Sequence, residues 1–219
     1  MSKKIHTIQS SDKKEFDKQV NFYLEYGGEL VEGGYEVINN KDGVVYSQVI
    51  MFKDCIVEFY DNGNMKRHVP LNHKGQSHGV ETSWFDSKQV NHQHKDMESF
   101  KNFKNGLKHG EIYVRYYNRE DMLEGEYKKG KKHGFFHGHY ENGEKQFKVF
   151  FKNDIKEGIC EQYYRNGTIK SSHTHKRGKI HGNHRSWYEN GKRKEQGVYK
   201  KGEKIGKWEY WNEDGSLIK

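Results

Sequence analysis

Alanine is absent from this 219-residue sequence, and leucine occurs only six times. Both are strong helix formers, so their scarcity argues against a helical bundle or an α-solenoid. Long apolar runs are also missing: no segment approaches the roughly 18 consecutive apolar residues of a membrane span, and residues 1–4 lead into no apolar signal core. We therefore expect a cytoplasmic protein that is not an integral membrane protein.

Cysteine is equally scarce. Only Cys55 and Cys160 are present, without the spacing of a disulfide framework or a metal site, and we interpret both as reduced thiols. The sequence contains no Gly-x-Ser-x-Gly segment, Walker loop or dinucleotide-binding fingerprint. We therefore expect a protein that is not an enzyme and that binds no cofactor.

Aromatic residues and glycines, in contrast, are abundant. Aromatic residues make up 14% of the chain, out of 32% for all hydrophobic residues. Because Tyr, Phe and Trp favour half-buried pleated surfaces, this composition indicates β structure. The 24 glycines are regularly spaced, which indicates a folded repeat even though 32% of the residues are charged.

The glycines repeat with a period of 24 residues. Three series share it: Gly110, Gly134, Gly158, Gly182 and Gly206; Gly106, Gly130, Gly178 and Gly202, with Asp154 in one copy; and Gly143, Gly167, Gly191 and Gly215. Each glycine of the third series follows Asn142, Asn166, Asn190 or Asp214. Asn-Gly or Asp-Gly between two strand-like runs predicts a type I′ hairpin turn, with positive φ at both residues. The sequence therefore predicts one β-hairpin per period.

A lone hairpin is only marginally stable in water, so we expect the hairpins to stack through their aromatic faces. The predicted fold is mainly β: an elongated, single-layer antiparallel sheet of hairpin repeats over residues 54–219, with an insertion near residues 87–98. Residues 1–53 do not follow the period. They predict a small α+β domain of βαββ order, with strands over residues 4–9, 29–38 and 44–52, which packs on the first repeats as a cap.

The repeat resembles a known family. The string Gly-x-x-x-x-Tyr-Tyr-x-Asn-Gly occurs at residues 182–191, with Trp187 for the first Tyr, and is followed by Tyr-Lys-x-Gly-Lys-x-x-Gly at residues 199–206, with Glu203 for the second Lys. It resembles the MORN-variant repeat of bacteria over residues 54–219. That family is commonly labelled antitoxin-like, and MORN-type repeats also serve as protein scaffolds and proposed phospholipid binders. Residues 28–34 and 46–50 resemble a small bacterial domain of unknown function, with Gly28 where that domain usually has Trp.

Two sets of side chains are candidate binding surfaces. The aromatic row is predicted to bind a partner protein and consists of Tyr116, Tyr140, Tyr163, Trp187 and Trp211. Consecutive strand residues point to opposite faces, so one ring of each aromatic pair must face outward, and exposed Tyr and Trp are typical of interface hot spots. The lysine row is predicted to bind an anionic partner and consists of Lys104, Lys128, Lys152, Lys176 and Lys200. The alternative is that these lysines merely keep a sheet edge soluble.

Fourteen histidines raise the question of a metal site. His78, His109, His133 and His181 each precede a repeat glycine, and we expect them to bond the adjacent loop. Equivalent residues of adjacent hairpins should lie about 10 Å apart, too far to share a metal. The same distance separates Cys160 from His184 and argues against a nucleophile and its base. We expect no metal site, although the pairs His92/His94, His137/His139 and His173/His175 leave a loose one open.

The charge is concentrated in the C-terminal half of the chain. Residues 101–219 carry 27 Lys and Arg against 16 Asp and Glu, whereas residues 1–100 carry 12 against 15. This asymmetry favours an acidic partner. We expect a non-enzymatic scaffold that binds a protein partner, a toxin or effector if the family resemblance holds. The alternative is binding of acidic phospholipid or nucleic acid through the lysine row.

Overall fold

The computed structural model shows a mainly β protein, with 65% of its residues in strands and 6% in helix. The structure describes residues 4–10, 13–25, 28–30, 36–40, 43–52, 54–86 and 97–218. The chain divides into two compact units, residues 1–98 and 99–219. The predicted domains, residues 1–53 and 54–219, were divided where the repeat period begins, and not by compactness. That boundary stays a prediction.

The first unit contains a small sheet, a helix and three further strands. Its elements are β1 (Lys4–Ser10), α1 (Lys13–Glu25), β2 (Gly28–Leu30), β3 (Glu36–Asn40), β4 (Gly43–Phe52), β5 (Cys55–Phe59), β6 (Met65–Pro70) and β7 (Gly79–Trp84). Strand β4 is central: β1 pairs with one edge of it, and β2 and β3 pair with different parts of its other edge. The predicted strand over residues 29–38 thus corresponds to β2 and β3, and residues 31–35 lie outside the described residues.

Helix α1 packs its apolar side on the hairpin formed by β5 and β6. Phe16 and Tyr23 are each 2% exposed and share a buried cluster with Val57 and Met65. The Tyr23 hydroxyl donates a hydrogen bond to the carbonyl oxygen of Gly63, in the β5–β6 turn, at 3.1 Å. The residues ahead of the repeats therefore pack on the first repeat hairpin, as expected of a cap.

The second unit is an open antiparallel sheet whose strands follow chain order. Its strands are β8 (Met97–Lys104), β9 (Leu107–Arg115), β10 (Asp121–Lys128), β11 (Lys131–His139), β12 (Lys145–Lys152), β13 (Ile155–Tyr163), β14 (Ile169–Lys176), β15 (Lys179–Trp187), β16 (Arg193–Lys200), β17 (Glu203–Trp211) and β18 (Leu217–Ile218). Each strand from β9 to β17 pairs with the strand before it and the strand after it. The predicted sheet of stacked hairpins is confirmed. Most of the predicted insertion, residues 87–96, lies outside the described residues.

The turn prediction at the Asn-Gly sites is wrong. Only the glycine is left-handed there: Gly143 has a φ of 81°, whereas Asn142 has no positive φ. The amide of Gly143 donates to the carbonyl oxygen of Tyr140 at 2.9 Å. The amide of Tyr140 donates to the carbonyl oxygen of Glu144 at 2.8 Å. This geometry is a three-residue loop, a type I turn followed by a left-handed glycine, instead of a type I′ turn.

Asparagine is used at these loops for its side chain. The Oδ1 atom of Asn142 accepts the amide of Glu144 at 3.3 Å, and its Nδ2 atom donates to the carbonyl oxygen of Arg165, in the next hairpin, at 2.8 Å. The same two bonds occur at Asn118, Asn166 and Asn190. Because the amide side chain closes the loop and reaches the next one, asparagine is favoured without a left-handed backbone.

Type I′ turns lie at the opposite end of the strands, at the second glycine series. Lys129 and Gly130 have φ values of 51° and 81° and join the paired residues Lys128 and Lys131. Equivalent turns are formed by Asn105-Gly106, Asn153-Asp154, Arg177-Gly178 and Lys201-Gly202. The amide of Gly130 also donates to the carbonyl oxygen of Lys108, in the preceding hairpin, at 2.8 Å. Both kinds of turn therefore bond to a neighbouring hairpin.

A tyrosine hydroxyl adds a third link between hairpins. The tyrosine that opens each Asn-Gly loop donates to the carbonyl oxygen just before the next such loop. These bonds run from Tyr116 to His139, Tyr140 to Tyr163, Tyr164 to Trp187 and Tyr188 to Trp211, at 2.8 to 2.9 Å. Tyr60 makes the same bond to Trp84 in the first unit, at 2.8 Å. The spacing of successive hairpins is thus fixed by a repeated contact.

We expect Tyr164→Phe to lower the free energy of unfolding by about 0.5 to 1.5 kcal/mol, because the carbonyl of Trp187 loses its hydroxyl donor. Urea unfolding would measure the loss. The control is Tyr199→Phe, which removes a hydroxyl without a hydrogen bond among the described residues. Equal losses in the two variants would contradict a role for the hydroxyl link.

Candidate binding faces and side-chain clusters of the second unit

The sheet of the second unit has two faces of different character. The ring face carries a central column of residues spaced by one period: Ile112, Phe136, Cys160, His184 and Trp208. The first four are buried, with exposures of 2 to 9%. The open face carries the residues that alternate with these along each strand.

Aromatic packing holds the ring face together. A second column on this face consists of the residues that precede the lysine row: Tyr127, Phe151, His175 and Tyr199. Phe136 packs edge-to-face between Tyr127 and Phe151, with ring centres 5.6 and 5.3 Å apart. Trp208 packs on Tyr199 in the same way at 5.0 Å. These geometries are favourable for aromatic pairs and form the core of the unit.

Lysines lie over these rings. The Nζ atom of Lys132 is 5.3 Å from the ring centre of Phe136 and 5.0 Å from that of Phe151. The Nζ atom of Lys204 is 3.9 Å from the ring of Trp208. Through these cation–π contacts, the positive charges of the lysines on the ring face interact with its aromatic core.

Two glycines make room for the largest rings. A Cβ atom at Gly125 would lie 2.4 Å from the ring of Phe136, and one at Gly197 would lie 2.3 Å from the ring of Trp208. Where the column residue is the small Cys160, the paired position on the neighbouring strand is Val149 instead. Side-chain volume on adjacent strands is therefore matched across the ring face.

The aromatic row does not form one row in the structure. Tyr116 and Tyr140 open the loops that contain Asn118-Arg119 and Asn142-Gly143, and they make the hydroxyl links described above. Tyr163, Trp187 and Trp211 stand one position earlier, each at the end of its strand. Residue spacing alone did not separate these two positions, because the earlier hairpins carry Arg115 and His139 where the later ones carry rings. The partner-binding role of the five residues stays a prediction.

Tyr163, Trp187 and Trp211 belong to the open face. The Tyr163 hydroxyl donates to a carboxylate oxygen of Glu161 at 2.9 Å, and the guanidinium of Arg193 lies 5.6 Å from the ring centre of Trp211. All three rings are half-buried and lie beside polar side chains.

Two apolar side chains that are about half exposed lie on the same face. Phe135 is 46% exposed and Ile159 is 52% exposed. The ring of Phe135 packs edge-to-face on Phe150 at 5.1 Å, and the Nζ atom of Lys148 lies 4.7 Å from its centre. The sequence analysis missed these residues, although the Phe135-Phe136 pair already indicated rings on both faces.

A groove of about 320 Å³ opens beside Phe135. Phe100 and Tyr113, which stack with ring centres 5.5 Å apart, form part of its wall. The carboxylates of Glu111, Glu124 and Glu126 also line it. This part of the open face therefore combines rings with negative charge.

The lysine row is exposed along its whole length. Lys104, Lys128, Lys152, Lys176 and Lys200 each end a strand, directly before a type I′ turn. Because two strands advance about 10 Å across a sheet, neighbouring lysines of the row are separated by about that distance. The structure brings the five charges to one end of the strands, and their binding role stays a prediction.

Two of the histidines before repeat glycines, His109 and His181, bond the adjacent turn as expected, whereas the Nδ1 atom of His133 is buried without a hydrogen bond among the described residues. The Nδ1 atoms of His109 and His181 accept the amides of Lys129 and Lys201 at 3.2 and 3.4 Å. Glu157 stands at the same position of another hairpin and accepts the amide of Arg177 at 2.8 Å. In these three hairpins the position therefore supplies a hydrogen-bond acceptor to the next turn.

The structure brings together Cys160 and a histidine pair that the sequence analysis treated separately. His173 pairs with Cys160 on one side and with His184 on the other. One ligand atom each of Cys160, His173 and His175 lies within 4.8 Å of the others. The estimate of about 10 Å compared residues of a single column and ignored the strand between them. His92 and His94 lie outside the described residues.

Burial governs the protonation of this cluster. Together with the nearby His175, His184 and Lys156, it lowers the pKa of His173 to about 4. Burial also lowers the pKa of His175 and raises that of the Cys160 thiol. Near neutral pH the two imidazoles are therefore uncharged, each with a nitrogen lone pair.

Comparison with known families supports the repeat. Residues 156–177 and 180–201 match the MORN repeat variant, and the two matches begin one period apart. No curated protein matches the chain. Two consecutive units within residues 156–201 thus match the MORN-variant repeat, a type of repeat that generally serves for binding, and no catalytic family is indicated. Among the described residues, no helix has the length and apolar character needed to cross a membrane.

We expect Gly197→Ala to lower the free energy of unfolding by about 1 to 3 kcal/mol, because the added methyl group overlaps the ring of Trp208. Urea unfolding of the single variant would measure this cost. In a Trp208→Leu background the same substitution should cost less, since the smaller side chain leaves room. An unchanged cost in that background would contradict the proposed volume match.

Proposed function

We propose that this chain is a non-enzymatic protein-binding repeat protein that engages its partner through the open face of the second unit. The observation that carries the proposal is the different packing of the two faces of the sheet. The ring face packs its aromatic side chains against one another, whereas the open face leaves Phe135 and Ile159 largely exposed. Exposed aromatic and aliphatic groups among polar neighbours are typical of protein interfaces.

The half-buried rings of the open face would serve as anchors. Tyr163, Trp187 and Trp211 follow one another at the period of the repeat, so they can contact an extended surface at regular intervals. Their polar neighbours, such as Glu161 and Arg193, already hold them in place. Binding therefore needs little ordering of these side chains, which lowers its entropic cost.

The resemblance to the antitoxin-like MORN-variant family gives the proposal a finer form. In it, the protein acts in the cytoplasm as an antitoxin or immunity-like protein, and the partner is a toxin or effector. The mechanism would be occlusion: a sheet face that covers the partner's functional surface inhibits it without any chemical step. The MORN-variant matches at residues 156–201 support the repeat type on which this form depends.

A pull-down from lysate of the native cell at moderate salt tests the protein-binding proposal. We expect a stoichiometric protein to be retained by the wild type and lost with Trp187→Ala, because truncating an anchor ring commonly costs 2 kcal/mol or more, or roughly 30-fold in affinity. The matched control is Tyr117→Ala, an exposed ring in a loop outside the open face. Equal retention by all three proteins, with each folded, would exclude Trp187 from the interface.

The lysine row supports a second candidate function, binding of acidic phospholipid or nucleic acid. All five lysines are exposed at one end of the strands. Their spacing of about 10 Å is comparable to the Debye length at 0.1 M salt, so mutual repulsion is modest. An anionic polymer or membrane surface could contact several of them at once.

Charge reversal of Lys128, Lys152 and Lys176 to Glu tests this second function. Binding to acidic vesicles or to DNA should fall strongly, and wild-type affinity for DNA should decrease with salt by a log–log slope of about −0.9 per phosphate contacted. The control reverses Lys170, Lys192 and Lys194, which are exposed near the Asn-Gly loops at the other end of the strands. If both triple variants lose binding equally, net charge is responsible and the lysine row is not a site.

A further inference from the structure

At one place on the ring face, cysteine and histidine replace apolar and aromatic residues. Cys160 stands where the preceding hairpin has Phe136, and His175 stands where the neighbouring hairpins have Phe151 and Tyr199. His173 likewise replaces Val149, the residue one period earlier. Three positions that are apolar or aromatic one period earlier, as Phe136, Val149 and Phe151, thus carry potential metal ligands together.

These three side chains converge. Cys160 on β13 is paired with His173 on β14, and His175 follows two residues later on the same face. The rings of His173 and His175 have centres 4.9 Å apart. One ligand atom from each of the three residues lies within 4.8 Å of the other two.

The cluster is buried and its polar atoms lack partners. Cys160 is 3% exposed and His175 is 9% exposed. The Nδ1 atoms of His173 and His175 are buried without a hydrogen bond among the described residues. A buried polar atom without a partner costs about 1 to 3 kcal/mol, so a cation that binds both nitrogens would relieve this cost.

We propose that Cys160, His173 and His175 form a Zn²⁺ site within the β13–β14 hairpin. Zinc takes thiolate and imidazole ligands at about 2.3 Å and 2.0 to 2.1 Å. In tetrahedral geometry, ligand atoms at these distances lie roughly 3.3 to 3.7 Å from one another. Small side-chain rotations therefore bring the observed separations, all within 4.8 Å, to the required ones.

The fourth coordination position falls to water or to His184. The ring of His184 stacks on His173 with centres 5.6 Å apart, and its Nδ1 atom is also buried without a hydrogen bond. Its Nε2 atom lies 3.0 Å from a carboxylate oxygen of Glu195. A carboxylate behind an imidazole is the usual outer contact of a zinc-bound histidine, because it orients the ring and increases its basicity.

Charged residues near the cluster shift the pKa of the Cys160 thiol in opposite directions. Zinc binds the uncharged form of imidazole, which burial already favours at His173 and His175 because it lowers the pKa of both. The Cys160 thiol releases its proton to solvent as the zinc–sulfur bond forms, which Zn²⁺ makes favourable. Lys156 lies close enough to lower the pKa of Cys160, whereas Glu161 raises it. The positive charge of Lys156 thus stabilises the thiolate and opposes the metal ion.

Cobalt titration of the metal-free, reduced full-length protein tests the proposal. We expect one Co²⁺ per chain, with a sulfur-to-cobalt charge-transfer band in the near ultraviolet and visible bands of a tetrahedral ion, both displaced by Zn²⁺. The band should vanish in Cys160→Ser and persist in Cys55→Ser, the matched thiol control. Absence of the band in the wild type, or its survival in Cys160→Ser, would overturn the proposal.

The repeat itself supplies variants that should keep the fold. His175→Phe and His173→Val install the residues found one period earlier, so each should remain folded by circular dichroism. Each should weaken Zn²⁺ binding by more than the roughly 10- to 100-fold that loss of an outer contact costs. Zn²⁺ should raise the thermal unfolding midpoint of the wild type and not that of His175→Phe. An equal rise in both proteins would place the bound zinc elsewhere.

Discussion

The hydrogen bond from a tyrosine hydroxyl to the carbonyl of the next hairpin is the contact on which the second unit depends. It recurs from Tyr116 to Tyr188 at nearly constant length. The asparagine of the same loop reaches the next loop, and the amide of each type I′ turn bonds the preceding hairpin at the other end of the strands. Because hydrogen bonds link neighbouring hairpins at both ends of the strands, the hairpins keep a constant register relative to one another. Residues one period apart therefore form columns.

Fixed columns make the chemistry of each hairpin depend on a few positions. On the ring face, Phe136 and Trp208 fill the space that Gly125 and Gly197 leave, whereas Cys160 stands against Val149. Between two aromatic groups the column changes to sulfur and imidazole, without a change in strand pairing. The open face is free of this packing requirement, so its residues can differ between hairpins according to what they bind. One backbone thus combines a constrained face with an adaptable one.

The fold could be predicted from the sequence because glycine spacing and aromatic pairs record the period directly. The failures have physical reasons. Asn-Gly predicted a type I′ turn, but Asn142 is held by its side-chain bonds, and the left-handed pair is Lys129-Gly130. Tyr140 and Tyr163 were placed in one row, although a shift of one residue separates a loop link from a strand face. Cys160 and His173 were kept apart because only cross-strand register, which spacing does not encode, makes them neighbours.

In the second unit each strand pairs only with its neighbours in the chain, which has a consequence for how such a protein changes over generations. Duplication or loss of 24 residues in phase would create or remove one hairpin and rejoin identical junctions on either side. No distant contact in the second unit would need compensation. Its length is therefore an evolutionary variable almost independent of its stability per hairpin, and the size of the surface it offers can be tuned in whole-hairpin steps.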